Sequence, residues 1–179
     1  MVIENDFIGP RVSLAAFKST DADILVQTQF DPALIAMATD NRWPRDAARF
    51  VQEFSSQSLV MTLMVRLRET QALLGWLRLS DMQLKNRGAV LSIAVLNEQN
   101  RHQGYGREAI QLALQIAFNQ LNLHKVRGWI NADNLSAQHL FEHVGFNKEG
   151  TLRQQRFISG QRVDQNLYGL LQNDWRSEG

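Results

Sequence analysis

The 179-residue chain contains no cysteine. That absence excludes disulfides, thiolate metal centres and a cysteine nucleophile, and with the last any cysteine-bound acyl-enzyme. An excess of one charge is also missing: 19 Lys and Arg stand against 18 Asp and Glu, a formal net charge of +1. With no Lys/Arg-rich run or basic stripe, no nucleic-acid partner is expected. No apolar run approaches the ~18 residues of a membrane-spanning helix, so no membrane partner is expected either. The opening MVIENDFIGPR lacks a charged segment followed by an apolar stretch, and a soluble, cytoplasmic protein without a secretory leader is the expectation. The four histidines (His102, His124, His139 and His143) show no metal-ligand spacing. His139 and His143 are four apart, but no further ligand accompanies them, so no metal is expected.

What is present is ordinary for a globular protein: 44% apolar and 21% charged residues, in a length that suits one domain, 1–179, with a sizeable core. Residues 11–17, RVSLAAF, read as a first strand. Ser19, Thr20 and Asp21 offer N-caps for a helix over 22–29. Asp31 and Pro32 open a short helix to about Met37. Pro44 suits the first turn of another, with Ala47, Ala48, Val51 and Phe54 on one face. Strands over 59–67 and 72–79 flank a polar turn, and a second polar turn, 83–88, leads to an apolar strand over 89–96. Further on, 125–131 alternates Val126, Gly128 and Ile130 with polar residues. Asn134 or Ser136 caps a helix over 137–143 that stops at Gly145. Strands over 150–158 and 164–171 close the chain. Early helices, then a mostly antiparallel sheet of about seven strands broken by two helices, make an α+β fold.

Residues 89–119 organise the rest. The apolar strand passes through a polar loop into Gly104-Tyr105-Gly106. A helix follows, its buried face carrying Ala109, Ile110, Leu112, Ala113, Leu114, Ile116, Ala117 and Phe118. A strand entering a helix through glycines makes an anion site. First-turn amides lack intrahelical partners, the dipole favours negative charge, and glycine lets the backbone approach closely. Arg101 and Arg107 add positive charge. A P-loop is excluded, because no Lys-Ser or Lys-Thr follows the glycines. A dinucleotide fingerprint fits Gly104, Gly106 and Ala109, but His124, Lys125 and Arg127 stand about where it needs an acidic residue. A third reading is the coenzyme A pyrophosphate loop, (R/Q)xxGx(G/A), matched by Arg101-His102-Gln103-Gly104-Tyr105-Gly106. A ligand-free glycine turn is the plain alternative.

Four stretches resemble the GNAT N-acetyltransferases, more narrowly the ribosomal-protein N-terminal acetyltransferases and their relatives. They are Gly9 to Leu14 with the following helix start, the loop Arg101 to Gly106, the run Asn131 to Ala137 followed by Phe141 to Phe146, and the closing segments around Glu149 to Arg153 and Leu167 to Leu171. The resemblance spans nearly the whole chain in the family's order. It implies the GNAT acyl-CoA N-acyltransferase fold, a twisted, mostly antiparallel sheet whose central strand splays from its neighbour at a bulge.

It also implies acetyl-CoA as cosubstrate and direct acetyl transfer, in a ternary complex, to an amine on a protein N-terminus, polyamine or amino sugar. The protein would act as a monomer or homodimer. Backbone groups of Ile93, Ala94 and Val95 would pair with the pantetheine arm. The loop residues His102, Gln103, Gly104, Tyr105 and Gly106 would hold the pyrophosphate, with Arg101 a charge partner or a solvated loop residue. Asn134 would bond the pantetheine, cap its helix, or both. The Val95 amide would stabilise the oxyanion. Phe141 stands where many members carry an acidic tyrosine, which leaves Ser136 as thiolate proton donor or CoA contact. The central strand offers no glutamate base near Val90, and Gln155 and Arg156 fill a second expected position. Asp164, Glu149, Glu98 or a water chain remain, with Asp164 equally readable as a turn-closing residue. Trp43, Trp76 and Met37 are candidate pocket residues or core. A non-catalytic CoA-binding module is the competing function.

Overall fold

The computed structural model describes residues 7–31, 34, 45–55 and 60–175. The chain forms strands β1 (Phe7–Ile8) and β2 (Val12–Ala15), then helices α1 (Asp21–Thr28) and α2 (Ala47–Ser55). Strands β3 (Met61–Leu67), β4 (Leu73–Gln83) and β5 (Gly88–Val95) follow, then helix α3 (Tyr105–Gln115), which runs on as a π-helical turn, Ile116–Gln120. Strand β6 (Lys125–Asn131), helix α4 (Leu135–His143), and strands β7 (Asn147–Ile158) and β8 (Gln161–Leu171) complete it. The α+β expectation holds, with one more strand than the pattern implied. All eight lie in one sheet, ordered β1-β2-β3-β4-β5-β6-β8-β7. The extra strand is Phe7–Ile8, whose two residues are too short to carry a period-2 signal.

Every neighbouring pair is antiparallel except β5–β6. Side chains alternate across the sheet, so it buries two separate clusters. One face holds Leu77, Leu79, Leu91 and Val126 against α3 and α4, including all eight helix positions expected to be buried. The other holds Met64 and Ala94 against Leu25 of α1 and Phe50 and Phe54 of α2. The buried pair on α2 is thus Phe50 with Phe54, one helical turn apart, whereas Ala48 is exposed. Large rings outcompete alanines for the core because they remove more apolar area from water. No helix among the described residues is long and apolar enough to cross a membrane.

The N-cap expectation for α1 needs correction. Thr20 occupies the cap with helical dihedrals and makes no side-chain cap. Asp21 instead accepts from Lys18 N–H at 2.8 Å and pairs with Arg66 of β3 at 2.7 and 2.6 Å. Both side chains are buried. By contrast, Asn134 caps α4 as expected, its Oδ1 accepting from Ala137 N–H at 3.1 Å. The helix expected from Asp31 to Met37, Pro44 and Trp43 lie, apart from Asp31 and Leu34, outside the described residues.

Gly128 of β6 is where α4 meets the sheet. A methyl group there would come within 2.2 Å of Cε1 of Phe141, whose ring also packs 4.7 Å, centroid to centroid, from Phe146. Gly128→Ala is expected to lower unfolding stability by about 1–3 kcal/mol, the usual cost of overpacking. The pair Gly128→Ala with Phe141→Leu should recover part of it. Urea midpoints at unchanged m-value are the check; wild-type stability in Gly128→Ala would show that the ring yields freely.

Candidate functional site

β5 and β6 run as parallel partners over three residues only: Gly88, Ala89 and Val90 against Lys125, Val126 and Arg127. Both strands continue, β5 along β4 and β6 along β8, so a wedge opens between them. The β4 side of the ladder decides which groups face it. Leu96 N–H donates to Leu74 O at 2.9 Å, one step beyond the Gly75–Val95 pair. Bonded and non-bonded pairs alternate in an antiparallel ladder. Val95 and Ile93 therefore turn their N–H and C=O groups away from β4, into the wedge. The splay was expected at a bulge, but the register shift of this region lies in the β4–β5 pairing between Ser80 and Gln83. The wedge opens into a cleft of about 230 Å³. Ile93 and Ala94 of β5, Ile130 and Asn131 of β6, and Asn134 and Phe141 line one half; α1, α2 and β4 line the other.

The glycine loop stands against the same strand. A Cβ on Gly106 would sit 3.9 Å from both Ile93 Cδ1 and Val95 Cγ2. Gly104 is the N-cap of α3 at φ 83°, a left-handed conformation natural to glycine, and no side chain caps this helix. His102 is left-handed as well, at φ 60°. The first-turn amides are thereby exposed to an anion with the helix dipole behind them. A cation fixed beside them is Arg11. Its Nη1 donates to Gln103 O at 2.9 Å, its Nε pairs with Glu108 at 3.1 Å, and its guanidinium covers the Tyr105 ring at 5.1 Å. Glu108, nearly buried, also accepts from the backbone N–H groups of Arg11 and Val12 at 2.7 and 2.9 Å. This clamp joins residues 97 apart in sequence, so no local signal in the sequence pointed to Arg11 as a loop residue.

A family model described as an acetyltransferase (GNAT) domain matches residues 11–147, well over half of the chain. The chain belongs to the GNAT acetyltransferase family. Among curated relatives, the uncharacterized N-acetyltransferase p20 of Bacillus licheniformis is 24% identical over 170 residues, 92% of this chain and 95% of that protein. A Vibrio cholerae spermidine N-acetyltransferase, solved with CoA and spermine, matches with a TM-score of 0.84 at 22% identity, covering 93% of this chain and 98% of that one. A candidate ribosomal-protein-serine acetyltransferase of Vibrio cholerae matches with a TM-score of 0.78 at 21% identity, covering 96% and 99%. Polyamine and protein acceptors thus share this fold, and the fold by itself does not select between them.

In this GNAT acetyltransferase the residues singled out from sequence divide sharply. Ile93 and Val95 face the wedge, Gly106 stands against both, and Asn134 lines the cleft, while Gly104 caps α3 beside Arg11. Arg101 does not point its charge at the loop: its Nε donates to Val95 O at 3.2 Å, and its Nη2 meets Leu96 O at 3.3 Å and Asp31 at 3.0 Å. It is a brace for the end of β5 rather than a solvated residue. Ser136 is exposed on the first turn of α4, beside two cleft-lining residues, Asn134 and Ala137. Asp164 does not line the cleft; its Oδ1 accepts from Gln154 N–H at 2.7 Å, which stabilises the irregular β7–β8 pairing. Glu149 is paired with Lys125, and Glu98 is exposed. The carboxylate that does line the cleft, among the described residues, is Glu53 of α2, which was not among the candidates offered by the sequence. Trp76 lines it too. No group of three or more His, Asp or Glu among the described residues is arranged to hold a metal.

Tyr168 of β8 anchors α4 behind the site. Its hydroxyl lies 2.9 Å from Glu142 Oε1, to which it donates, and 3.2 Å from Gln138 Oε1. Burial, then the hydrogen bond and charge of Glu142, push this phenol up to about 12. The unfolded phenol ionises near ~10. Its contribution is therefore complete below that pH and lost as pH rises towards 12. Urea unfolding at pH 9 and 11.5 should show wild type losing more stability than Tyr168→Phe over that interval; parallel losses would refute the assignment.

Proposed function

We propose that this chain, working as one domain, carries an acetyl group from acetyl-CoA directly to a primary amine within the cleft. The single observation behind this reading is the wedge: Ile93 and Val95 face it with backbone groups that no strand pairs among the described residues. Buried backbone polar groups require partners, and an extended pantetheine arm supplies amides at the right spacing to act as one. The side-chain-free cap of α3 fits a pyrophosphate in the same way.

When bound, acetyl-CoA supplies an activated acetyl thioester. The Val95 N–H is offered to the carbonyl oxygen on which negative charge grows during attack. Amides of Gln103, Gly104, Tyr105 and Gly106 hold the pyrophosphate, with His102 shaping the turn and Arg11 replacing Arg101 as the nearby cation. Asn134 keeps its side-chain N–H groups for the pantetheine while its Oδ1 caps α4. Ala94 packs beside them in the cleft. The acceptor must attack as a neutral amine, although alkyl ammonium groups hold their protons to about pH 10 and α-amino groups to about pH 8. Glu53, directly or through water, takes that proton in place of Asp164. Phe141 has no hydroxyl and that of Tyr168 is committed to α4. Ser136 at the cleft rim then protonates the departing sulfur.

Thiol release from acetyl-CoA with a panel of amines tests the transfer. Release that depends on one acceptor class supports it, while CoA binding without release on any amine favours the binding module. Arg11→Ala is expected to weaken CoA binding about tenfold, the loss of one charge-assisted contact, as read by calorimetry; an unchanged dissociation constant would remove Arg11 from the site. Ser136→Ala should lower kcat by about a hundredfold with CoA affinity preserved. Equal loss in both would make Ser136 a CoA contact only.

A further inference from the structure

The transfer reading leaves the acceptor to the other half of the cleft, formed by α1, α2 and β4, and the choice of acceptor rests on that reading. Among the described residues lining the cleft, the charged ones are Arg45, Glu53 and Arg78. Glu53 lies between the two guanidiniums, Oε2 3.0 Å from Arg45 Nη1 and Oε1 3.7 Å from Arg78 Nη2. All three side chains are largely buried, between 16% and 27% exposed. A polyamine brings several ammonium groups, each of which needs an anionic partner when it leaves water. Two guanidiniums to one carboxylate is the wrong balance for such a guest.

The aromatic residues point the same way. Ring faces attract ammonium ions. Here Arg78 already covers Phe54 and Trp76, at 5.3 and 5.4 Å from the ring centroids, and Arg45 covers Phe50 at 5.7 Å. In the half of the cleft formed by α1, α2 and β4, the chain's own cations stand over the rings that a polyamine would use. Arg78 in turn has binding capacity left. Its Nε donates to Thr62 Oγ1 at 3.1 Å, which together with the two rings sets the plane of the guanidinium. Its terminal nitrogens make no hydrogen bond within the described residues, since the Glu53 contact is too long for one. A positioned guanidinium with such an edge matches a carboxylate in bidentate fashion.

We propose that the acceptor is a small amine carrying a carboxylate next to its amino group, a compound of the amino-acid class. Arg78 holds the carboxylate, Glu53 faces the ammonium group, and Arg45 steadies Glu53. The nitrogen lone pair forms the new C–N bond as the C–S bond breaks. Of the two protons that the ammonium group sheds, one leaves through Glu53 to solvent and the other ends on the CoA thiol.

The experiment compares α-amino acids, their carboxamides and spermidine as acceptors at saturating acetyl-CoA, with CoA affinity measured separately. The best amino acid is expected to exceed its own amide in kcat/KM by about tenfold or more. Arg78→Gln should erase that ratio by raising KM for the acid alone, and Arg78→Lys should retain part of it. Because the ratio is taken within one variant, a general loss of packing does not imitate this result. Amides or spermidine turned over as well as the acids, or a preference that survives Arg78→Gln, would overturn the proposal. So would CoA binding without transfer to any of them. Absence of CoA binding would overturn this proposal together with the transfer reading beneath it.

Discussion

Two parallel strands that part company leave backbone groups without partners, and the rest of this structure is arranged around that defect. Pairing between β5 and β6 ends at Val90 and Arg127. The missing Cβ of Gly128 admits the Phe141 ring, which fills the space over β6 and seats α4 along one wall of the opening. On the other strand, β4 holds β5 through Leu96 and Arg101 holds the Val95 carbonyl. The gap is therefore maintained from both sides, so the Ile93 N–H and C=O and the Val95 N–H, unpaired among the described residues, remain available to an extended guest rather than collapsing into a longer ladder.

Charge serves two distinct purposes around this gap. Some pairs are structural: Asp21 with Arg66 ties α1 to the sheet from within the core, and Arg101 with Asp31 locks the end of β5. Removing one member of such a buried pair strands the other, which is why these pairs constrain geometry even where their net contribution is small. Other cations stay partly open. Arg11 is tethered by Glu108 yet remains half exposed beside the glycine loop. Arg78 is fixed by two rings and Thr62, with its terminal nitrogens outside any hydrogen bond among the described residues. Residues held by their stems and open at their tips are the ones placed to meet a ligand.

Much of the fold was legible in the chain. The 125–131 strand is read from its alternation to the residue, and the broad apolar face of α3 is buried as its 3.6-residue period requires. The Asn134 cap likewise rests on a hydrogen bond to a residue three positions away. These signals are local, and local periodicity or capping suffices for them. Phe7–Ile8 failed because two residues carry no period. On α2 the expected face held for Ala47, Val51 and Phe54 but took in exposed Ala48 and left out buried Phe50, because period alone does not rank alanine against phenylalanine. The partners of Arg101 and the place of Glu53 at the cleft were out of reach for a different reason. Each depends on a partner or a cleft contributed by distant segments, such as Asp31 for Arg101, 70 residues away.

The sequence by itself determined the family, the α+β class and the glycine loop opening a helix, because each is encoded in neighbouring residues or in motifs kept in order. Only the tertiary structure decided that Arg11 stands at that loop, which carboxylate reaches the cleft and what charge the α1, α2 and β4 side of the cleft presents. Side-chain partners are chosen by the packing of α2 and β4 across the sheet, and no spacing along the chain specifies that contact.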